Sequence, residues 1–236
     1  MHETVTPSLE RSCQVLAGQA LVFGLLGRAL YVSPDREWIQ SLAQERVFDD
    51  VPFANDQPDV VKGLALLGAW TNASQGGLTS KAFDALQADY THLFVGPGQV
   101  EAPPWESVYF HDEPLLFQEE TLRVREWYAR FGLQSELLHS EPDDHVGLEL
   151  AFLAHLAGLG VSACEKGETE NLSWLTSAQR EFAAEHPSKW IPAWCDRVCE
   201  HARTDFYRGI ALVTKGALAE LGATRGAGPQ PGNEGS

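Results

Sequence analysis

The segment from Glu141 to Glu149 concentrates the side chains that could perform acid–base or metal chemistry. It reads Glu-Pro-Asp-Asp-His-Val-Gly-Leu-Glu. If the whole segment is helical, Glu141, His145 and Glu149 recur every four residues and share roughly one face. Carboxylate-bridged di-iron bundles need Glu-x-x-His pairs on two helices, and this segment contains no such pair. A metal-dependent helical enzyme that uses Glu141, Asp144, His145 and Glu149 therefore stays an alternative hypothesis.

The same segment also fits the start of a long helix, which we predict over residues 140–160. Ser140 is a capping residue type, and Pro142 suits a first turn. The two aspartates that follow lie where the positive end of the helix dipole favours negative charge. The body of this helix is apolar almost all round, which is typical of a central helix. For His145, a buried histidine with satisfied hydrogen bonds and a polar contact for a ligand are both open.

A second unusual segment, Tyr90 to Tyr109, begins as the end of an amphipathic helix and then breaks at Gly96-Pro97-Gly98 and at Pro103-Pro104. Proline cannot donate to a helical ladder and glycine admits positive φ, so regular structure ends at both breaks. The large aromatic after the second break is Trp105, a residue type enriched in binding hot spots. Core burial and ligand contact are both open for Trp105, whereas the helical spacing of Phe94 favours the core.

Other catalytic signatures are absent from the sequence. It contains no phosphate loop, dinucleotide fingerprint, nucleophile elbow or zinc-protease motif. The four cysteines, at positions 13, 164, 195 and 199, are too few and too scattered to predict a disulfide scaffold. Cys195 and Cys199 fall on one face of a predicted helix, and we interpret them as two packed thiols.

Charge and hydropathy limit the partners and the compartment. The 236 residues include 17 basic and 33 acidic ones, a formal net charge of −16. Such a surface repels phosphate backbones and anionic membranes, so nucleic acid binding and stable membrane insertion are not expected. A basic peptide would suit it, although acidity can also serve solubility alone. The chain opens with no signal-peptide pattern, and its first long apolar run, at 15–32, is interrupted by polar residues and glycines. We therefore expect a cytoplasmic protein.

Apolar periodicity predicts an all-α protein, a single globular domain of about nine to ten helices over residues 1–222. Helices are predicted at 12–32, 35–48, 59–72, 117–131, 140–160, 171–185, 188–203 and 205–221, with a further one that Thr79 caps. Gly132 is placed as a C-terminal stop. We expect a disordered Gly/Pro-rich tail at 223–236, and residues 134–142 are a candidate hinge.

Two motifs resemble those of the TorD/DmsD/NarJ family of redox-enzyme maturation chaperones, and the TorD/DmsD branch most of all. The first is Tyr90-x-x-Leu93-Phe94-x-Gly96-Pro97, followed by Ala102-Pro-Pro-Trp-Glu-Ser-Val-Tyr109. The second is Glu141-Pro-Asp-Asp-His-x-Gly-Leu-Glu149. The resemblance implies a TorD-like, non-enzymatic chaperone. Such proteins bind the twin-arginine leader of a molybdopterin-dependent oxidoreductase subunit and hold the apoprotein until its cofactor is inserted.

The resemblance also implies a leader-binding site, with the two motifs as facing walls of one groove. Its implied residues are Tyr90, Leu93, Phe94, Pro104, Trp105, Pro142, Asp143, Asp144 and His145, of which Asp143 stands where the family accepts either acid. Carboxylates such as Asp144 and Glu141 suit the two arginines, and the apolar side chains suit the hydrophobic segment of the leader. A monomer and a domain-swapped dimer are both compatible with it. GTP binding has been proposed for some members, but without a phosphate loop we expect no cofactor.

Overall fold

The computed structural model describes residues 7–98, 100–110, 118–134 and 141–223. Within these ranges the chain forms nine α-helices, one π-helical turn (Thr91–Val95), one 3-10 turn (Glu106–Tyr109) and no strand, which confirms the all-α prediction. The helices are α1 (Pro7–Tyr31), α2 (Arg36–Gln44), α3 (Pro58–Ser74), α4 (Ser80–Tyr90), α5 (Glu119–Arg130), α6 (Val146–Glu165), α7 (Thr169–Glu185), α8 (Pro187–His201) and α9 (Asp205–Ala223).

The centre of the fold is the pair formed by α1 and α6, the two most apolar long helices. Their backbones approach closely at Gly27 and Gly147: a Cβ atom added at Gly27 would lie 2.8 Å from the Gly147 carbonyl oxygen. Only glycine permits this approach without displacing a neighbour. By length and composition alone, Leu9–Tyr31 and Val146–Glu165 could each cross a membrane. However, half or more of each apolar window is buried inside the protein (50% and 56%), and core helices of soluble proteins pass the same test.

Aromatic side chains from α8 and α9 fill the core beside this pair. Trp190 and Trp194 of α8 and Phe206 and Tyr207 of α9 are almost completely buried. Trp194 also donates a hydrogen bond from Nε1 to the Ala102 carbonyl at 3.2 Å. This hydrogen bond therefore attaches the irregular segment around residue 102 to the core.

Two helix ends lie where the sequence predicted them. The Thr79 side chain accepts from the Ala82 N–H at 3.2 Å and so caps α4. Gly132 has a φ of +70° just after α5, as expected of a C-terminal stop.

The predicted helix over 140–160 is wrong at its start, because α6 begins only at Val146. His145 is its N-cap, and the Nδ1 atom of His145 accepts from the Gly147 N–H at 3.0 Å. Pro142 and the two aspartates precede the helix, so they are not first-turn residues. Glu141 consequently does not share a helical face with His145 and Glu149.

Two of the four cysteines form a disulfide that the sequence did not predict. A disulfide joins Cys13 of α1 to Cys164 of α6, with 5.9 Å between their Cα atoms and 151 residues between them in sequence. Cys195 and Cys199 are free, and burial raises the pKa of the Cys195 thiol well above its ordinary value, as expected for packed thiols. The predicted tail from residue 224 onward, and the candidate hinge from 135 to 140, lie outside the described residues.

Candidate functional site

The two motifs lie side by side, joined through their backbones. The Val146 N–H donates to the Pro104 carbonyl at 2.8 Å, and the Glu106 N–H donates to the Asp144 carbonyl at 3.0 Å. These bonds form an isolated antiparallel bridge between Trp105 and His145. We call residues 101–109 the tryptophan loop and residues 141–145 the acidic turn. The two motifs are therefore in direct backbone contact, and the groove expected between them stays a prediction.

The first half of the first motif lies inside the core. Leu93 and Phe94 are 0% and 3% exposed, and the Phe94 ring stacks on Trp194 with 5.7 Å between ring centroids. The Tyr90 hydroxyl donates to the Tyr31 carbonyl at the end of α1, at 3.0 Å, and burial raises the pKa of Tyr90 to about 12. These three residues fix the base of the tryptophan loop and present no open apolar surface.

Asp89, one residue before this motif, is a structural clamp that sequence reasoning missed. Its fully buried carboxylate accepts from the Arg203 N–H at 3.0 Å and from the N–H and hydroxyl of Thr204 at 2.7 and 2.6 Å. It therefore ties the end of α4 to the start of α9. An acid in the last turn of a helix opposes the helix dipole, and that placement was the available signal.

Trp105 and Glu141 form the accessible part of the site. The Trp105 Nε1 atom donates to Glu141 Oε1 at 2.8 Å, and both side chains are half-buried. The ring of His145 meets Trp105 edge-on, with centroids 6.0 Å apart, and meets Tyr31 in the same way at 5.1 Å. Partial burial raises the pKa of Glu141, and the hydrogen bond from Trp105 opposes that rise. The pair combines an aromatic face with a carboxylate that retains acceptor capacity.

The aspartates of the acidic turn face inward instead. Asp144 is fully buried, and its two carboxylate oxygens accept from the Ser107 N–H at 2.8 Å and from the Thr121 hydroxyl at 2.7 Å. Asp143, also buried, accepts from Arg125 Nε at 2.7 Å. Both oxygens of Asp144 and Oδ2 of Asp143 are therefore committed to partners within the protein, whereas Asp143 Oδ1 is buried without a hydrogen bond. The two aspartates hold the acidic turn against α5 and the tryptophan loop.

The remaining residues of the predicted site, Pro104, Pro142 and His145, are buried beside the Trp105–Glu141 pair. Pro104 and Pro142 are both buried, and the Pro104 carbonyl takes part in the backbone contact. Burial lowers the pKa of His145 to about 3, so its imidazole is neutral, as its capping hydrogen bond requires. Of the nine predicted residues, Trp105 is the one with a substantial exposed fraction among the described residues.

A buried acid pair underlies the site, with one carboxyl from each motif. Glu106 Oε2 lies 2.8 Å from His186 Nδ1, and Glu149 Oε2 accepts from Trp190 Nε1 at 3.1 Å. Burial, followed by the neighbouring Glu106 carboxyl, raises the pKa of Glu149 well above its ordinary value. A protonated Glu149 can donate to Glu106, which gives its otherwise unpartnered Oε1 atom a hydrogen bond.

The geometry does not support the metal-enzyme hypothesis. Across the part of the chain that the structure describes, no group of three or more His, Cys, Asp and Glu side chains is placed to hold a metal ion. Both oxygens of Asp144 and the Nδ1 atom of His145 already serve internal hydrogen bonds. Glu141 is paired with Trp105 rather than with those groups.

The described residues thus form an all-helical fold in which the tryptophan loop is pinned to the acidic turn. Residues 57–196, more than half of the chain, match the family described as nitrate reductase delta subunit. The chain belongs to this TorD/DmsD/NarJ family of redox-enzyme maturation chaperones, is closest to its TorD/DmsD branch, and is not an enzyme.

Individual relatives agree with this assignment. The chain is 29% identical over 202 residues to the Tat proofreading chaperone DmsD of Salmonella typhi, a match that covers 85% of this chain and 87% of the relative. It is 33% identical over 128 residues to the chaperone protein TorD of Vibrio cholerae, covering 54% and 56%. A crystal structure from Archaeoglobus fulgidus, provisionally assigned as a redox enzyme maturation protein, aligns with 84% of this chain and 91% of its own at 21% identity, with a TM-score of 0.43. That score is too low to support an argument.

Proposed function

We propose that this chaperone acts in the cytoplasm, where it binds the twin-arginine leader of a molybdopterin-dependent oxidoreductase subunit. It holds the apoprotein until the cofactor is inserted, and so delays export. The observation that carries the proposal is the Trp105–Glu141 pair, an accessible aromatic side chain hydrogen-bonded to a half-buried carboxylate. The DmsD relative is named a Tat proofreading chaperone, which supports the same role.

The pair suits a guanidinium group of the leader. A carboxylate can accept two parallel hydrogen bonds from arginine, and an arginine also stacks well on an indole. Trp105 occupies one lone pair of Glu141 Oε1, and the second oxygen has no hydrogen bond to a described residue. The geometry favours Glu141 over Asp143 and Asp144 as the arginine contact, because those two carboxylates are almost completely buried and Glu141 is only half-buried.

Long-range charge assists the encounter. A net charge of −16 attracts a basic leader before contact and raises the association rate. Because much of this attraction is between exposed charges, added salt screens it. Affinity is thus expected to fall as the salt concentration rises.

Isothermal titration with a synthetic leader peptide tests the proposal. The peptide should carry two arginines followed by an apolar segment, and its control should carry two alanines in their place. We expect the arginine peptide to bind and the alanine peptide to bind at least tenfold more weakly at low salt. Equal binding of the two peptides, or none by either, would rule out twin-arginine recognition.

A further inference from the structure

An apolar pocket that neither motif predicted lies beside α6. Its volume is about 300 Å³. We call it the α6 pocket, and its walls are mainly the side chains of Tyr128, Leu133, Leu148, Ala151, Phe152 and His155. Its size is at the lower end of the range for ligand pockets, so it suits one or two side chains rather than a whole peptide.

The α6 pocket starts about one helical turn from His145. Leu148, Ala151, Phe152 and His155 recur at the spacing of a single helix face. Leu148 is three residues beyond His145, whose ring meets Trp105 edge-on. A ligand that contacts Trp105 therefore needs to extend only along α6 to reach the pocket.

Large exposed apolar side chains continue the surface beyond the pocket. Leu133 at its rim is 37% exposed. Phe131 packs on Phe152 and is stacked by Trp174, which is 52% exposed, with 5.3 Å between those two rings. An apolar surface that begins one helical turn from His145, whose ring contacts Trp105, would complement a peptide whose apolar segment follows the residue bound at Trp105.

We propose that the α6 pocket receives one or two apolar side chains of the segment that follows the two arginines of the leader. This inference rests on the proposed function, and it moves the apolar part of the site away from Leu93 and Phe94, which are buried. It also makes the pocket a selector for leader sequences, because side-chain size at one position along the peptide decides the fit.

The spacing along a peptide is consistent with one continuous ligand. His145 and Phe152 are seven residues apart, which is about 10 Å along a helix axis. An extended peptide covers that distance in about three residues, and a helical one in about seven. An apolar side chain at either spacing after the peptide residue that lies beside His145 would reach the pocket.

Filling the pocket tests the inference. Ala151 is exposed on α6, so Ala151→Trp fills the pocket without removing a buried side chain. The matched control is Ala65→Trp at an exposed position of α3, which does not line the pocket. The probe is a synthetic peptide of two arginines followed by a leucine-rich segment, titrated calorimetrically. We expect Ala151→Trp to weaken binding at least tenfold and Ala65→Trp to leave it unchanged.

A second variant and a second peptide make the outcome decisive. Leu133→Ser, at the exposed rim, should also weaken binding, and a peptide with serines in place of its leucines should bind the wild type and Ala151→Trp equally. Arginine-dependent binding that survives both variants unchanged would overturn the pocket assignment while leaving the proposed function intact. No arginine-dependent binding to the wild type would overturn both. A mass in sedimentation that halves in Ala151→Trp would instead show that a second copy fills the pocket, and would overturn the inference.

Discussion

The Trp105 indole donates a hydrogen bond to Glu141 across 2.8 Å, so the accessible aromatic side chain and the accessible carboxylate of the site form one unit. The other acids of the acidic turn do not take part, since Asp143 and Asp144 are buried and bound to α5 and the tryptophan loop. Residues of one motif therefore divide into Glu141, the proposed contact, and the buried residues that hold it in place. This division leads to predictions that separate stability from binding.

Asp144 should be a determinant of stability. Asp144→Ala removes the acceptor of two buried hydrogen bonds and leaves the Ser107 N–H and the Thr121 hydroxyl without partners. We expect the free energy of unfolding to fall by about 3 kcal/mol, measured by urea denaturation. The control Asp84→Ala, at an exposed position of α4, should change it by less than about 0.5 kcal/mol. A similar small effect for both variants would show that the hydrogen bonds of Asp144 do not stabilise the fold.

Glu149 should make stability depend on pH. Burial raises its pKa in the folded state, so the folded protein holds a proton that the unfolded chain releases above its ordinary pKa of about 4.3. Its contribution is fully present below that value and is lost as pH rises toward the folded pKa, by up to about 1.4 kcal/mol per pH unit. Glu149→Gln removes this loss and keeps an acceptor for Trp190.

The measurement for Glu149 is the free energy of unfolding from pH 5 to 9. The difference between Glu149→Gln and the wild type should grow with pH in favour of the variant. Glu170→Gln, at an exposed position at the start of α7, should run parallel to the wild type. A parallel curve for Glu149→Gln as well would mean that Glu149 is ionised in the folded protein.

The Cys13–Cys164 pair should make stability depend on redox conditions. A disulfide across 151 residues restricts the unfolded chain strongly, and such bonds typically contribute about 2–4 kcal/mol. Cys13→Ser should therefore lower the free energy of unfolding by about that amount in oxidising buffer. With a thiol reductant, as in the reducing cytoplasm, the variant and the wild type should nearly coincide.

Cys199→Ser is the control for this prediction, because Cys199 is free. Its small effect should be the same with and without reductant. A wild-type stability that does not respond to reductant would show that the two cysteines remain unpaired in solution.

Periodicity and end signals were sufficient to predict the class of fold. Apolar spacing located every helix of the described ranges, and Thr79 and Gly132 marked two ends, because these effects act over a few residues. The predicted start of α6 is wrong because a long-range hydrogen bond, from the Val146 N–H to the Pro104 carbonyl, fixes a non-helical backbone in the residues before Val146. Capping preferences alone carry no information about such a partner.

The candidate site was predicted in composition but not in exposure. The resemblance made Phe94 a leader contact, whereas its helical spacing favoured the core; Phe94 is buried, with Trp194, one hundred residues later, stacked on it. The Cys13–Cys164 contact is equally non-local. The α6 pocket was not predicted, because only Leu148 among its wall residues belongs to a motif and the others come together from α5, α6 and the residues after α5 through tertiary packing.

A double-mutant cycle between Glu141 and the leader arginines tests the central claim most directly. The cycle combines Glu141→Gln with replacement of each peptide arginine by glutamine, and it measures all affinities by calorimetry at low salt. We predict a coupling energy of about 1 kcal/mol or more for one arginine, and none when Glu170→Gln replaces Glu141→Gln. Binding that is arginine-dependent but shows no coupling to Glu141 would contradict the assignment of the Trp105–Glu141 pair as the arginine contact.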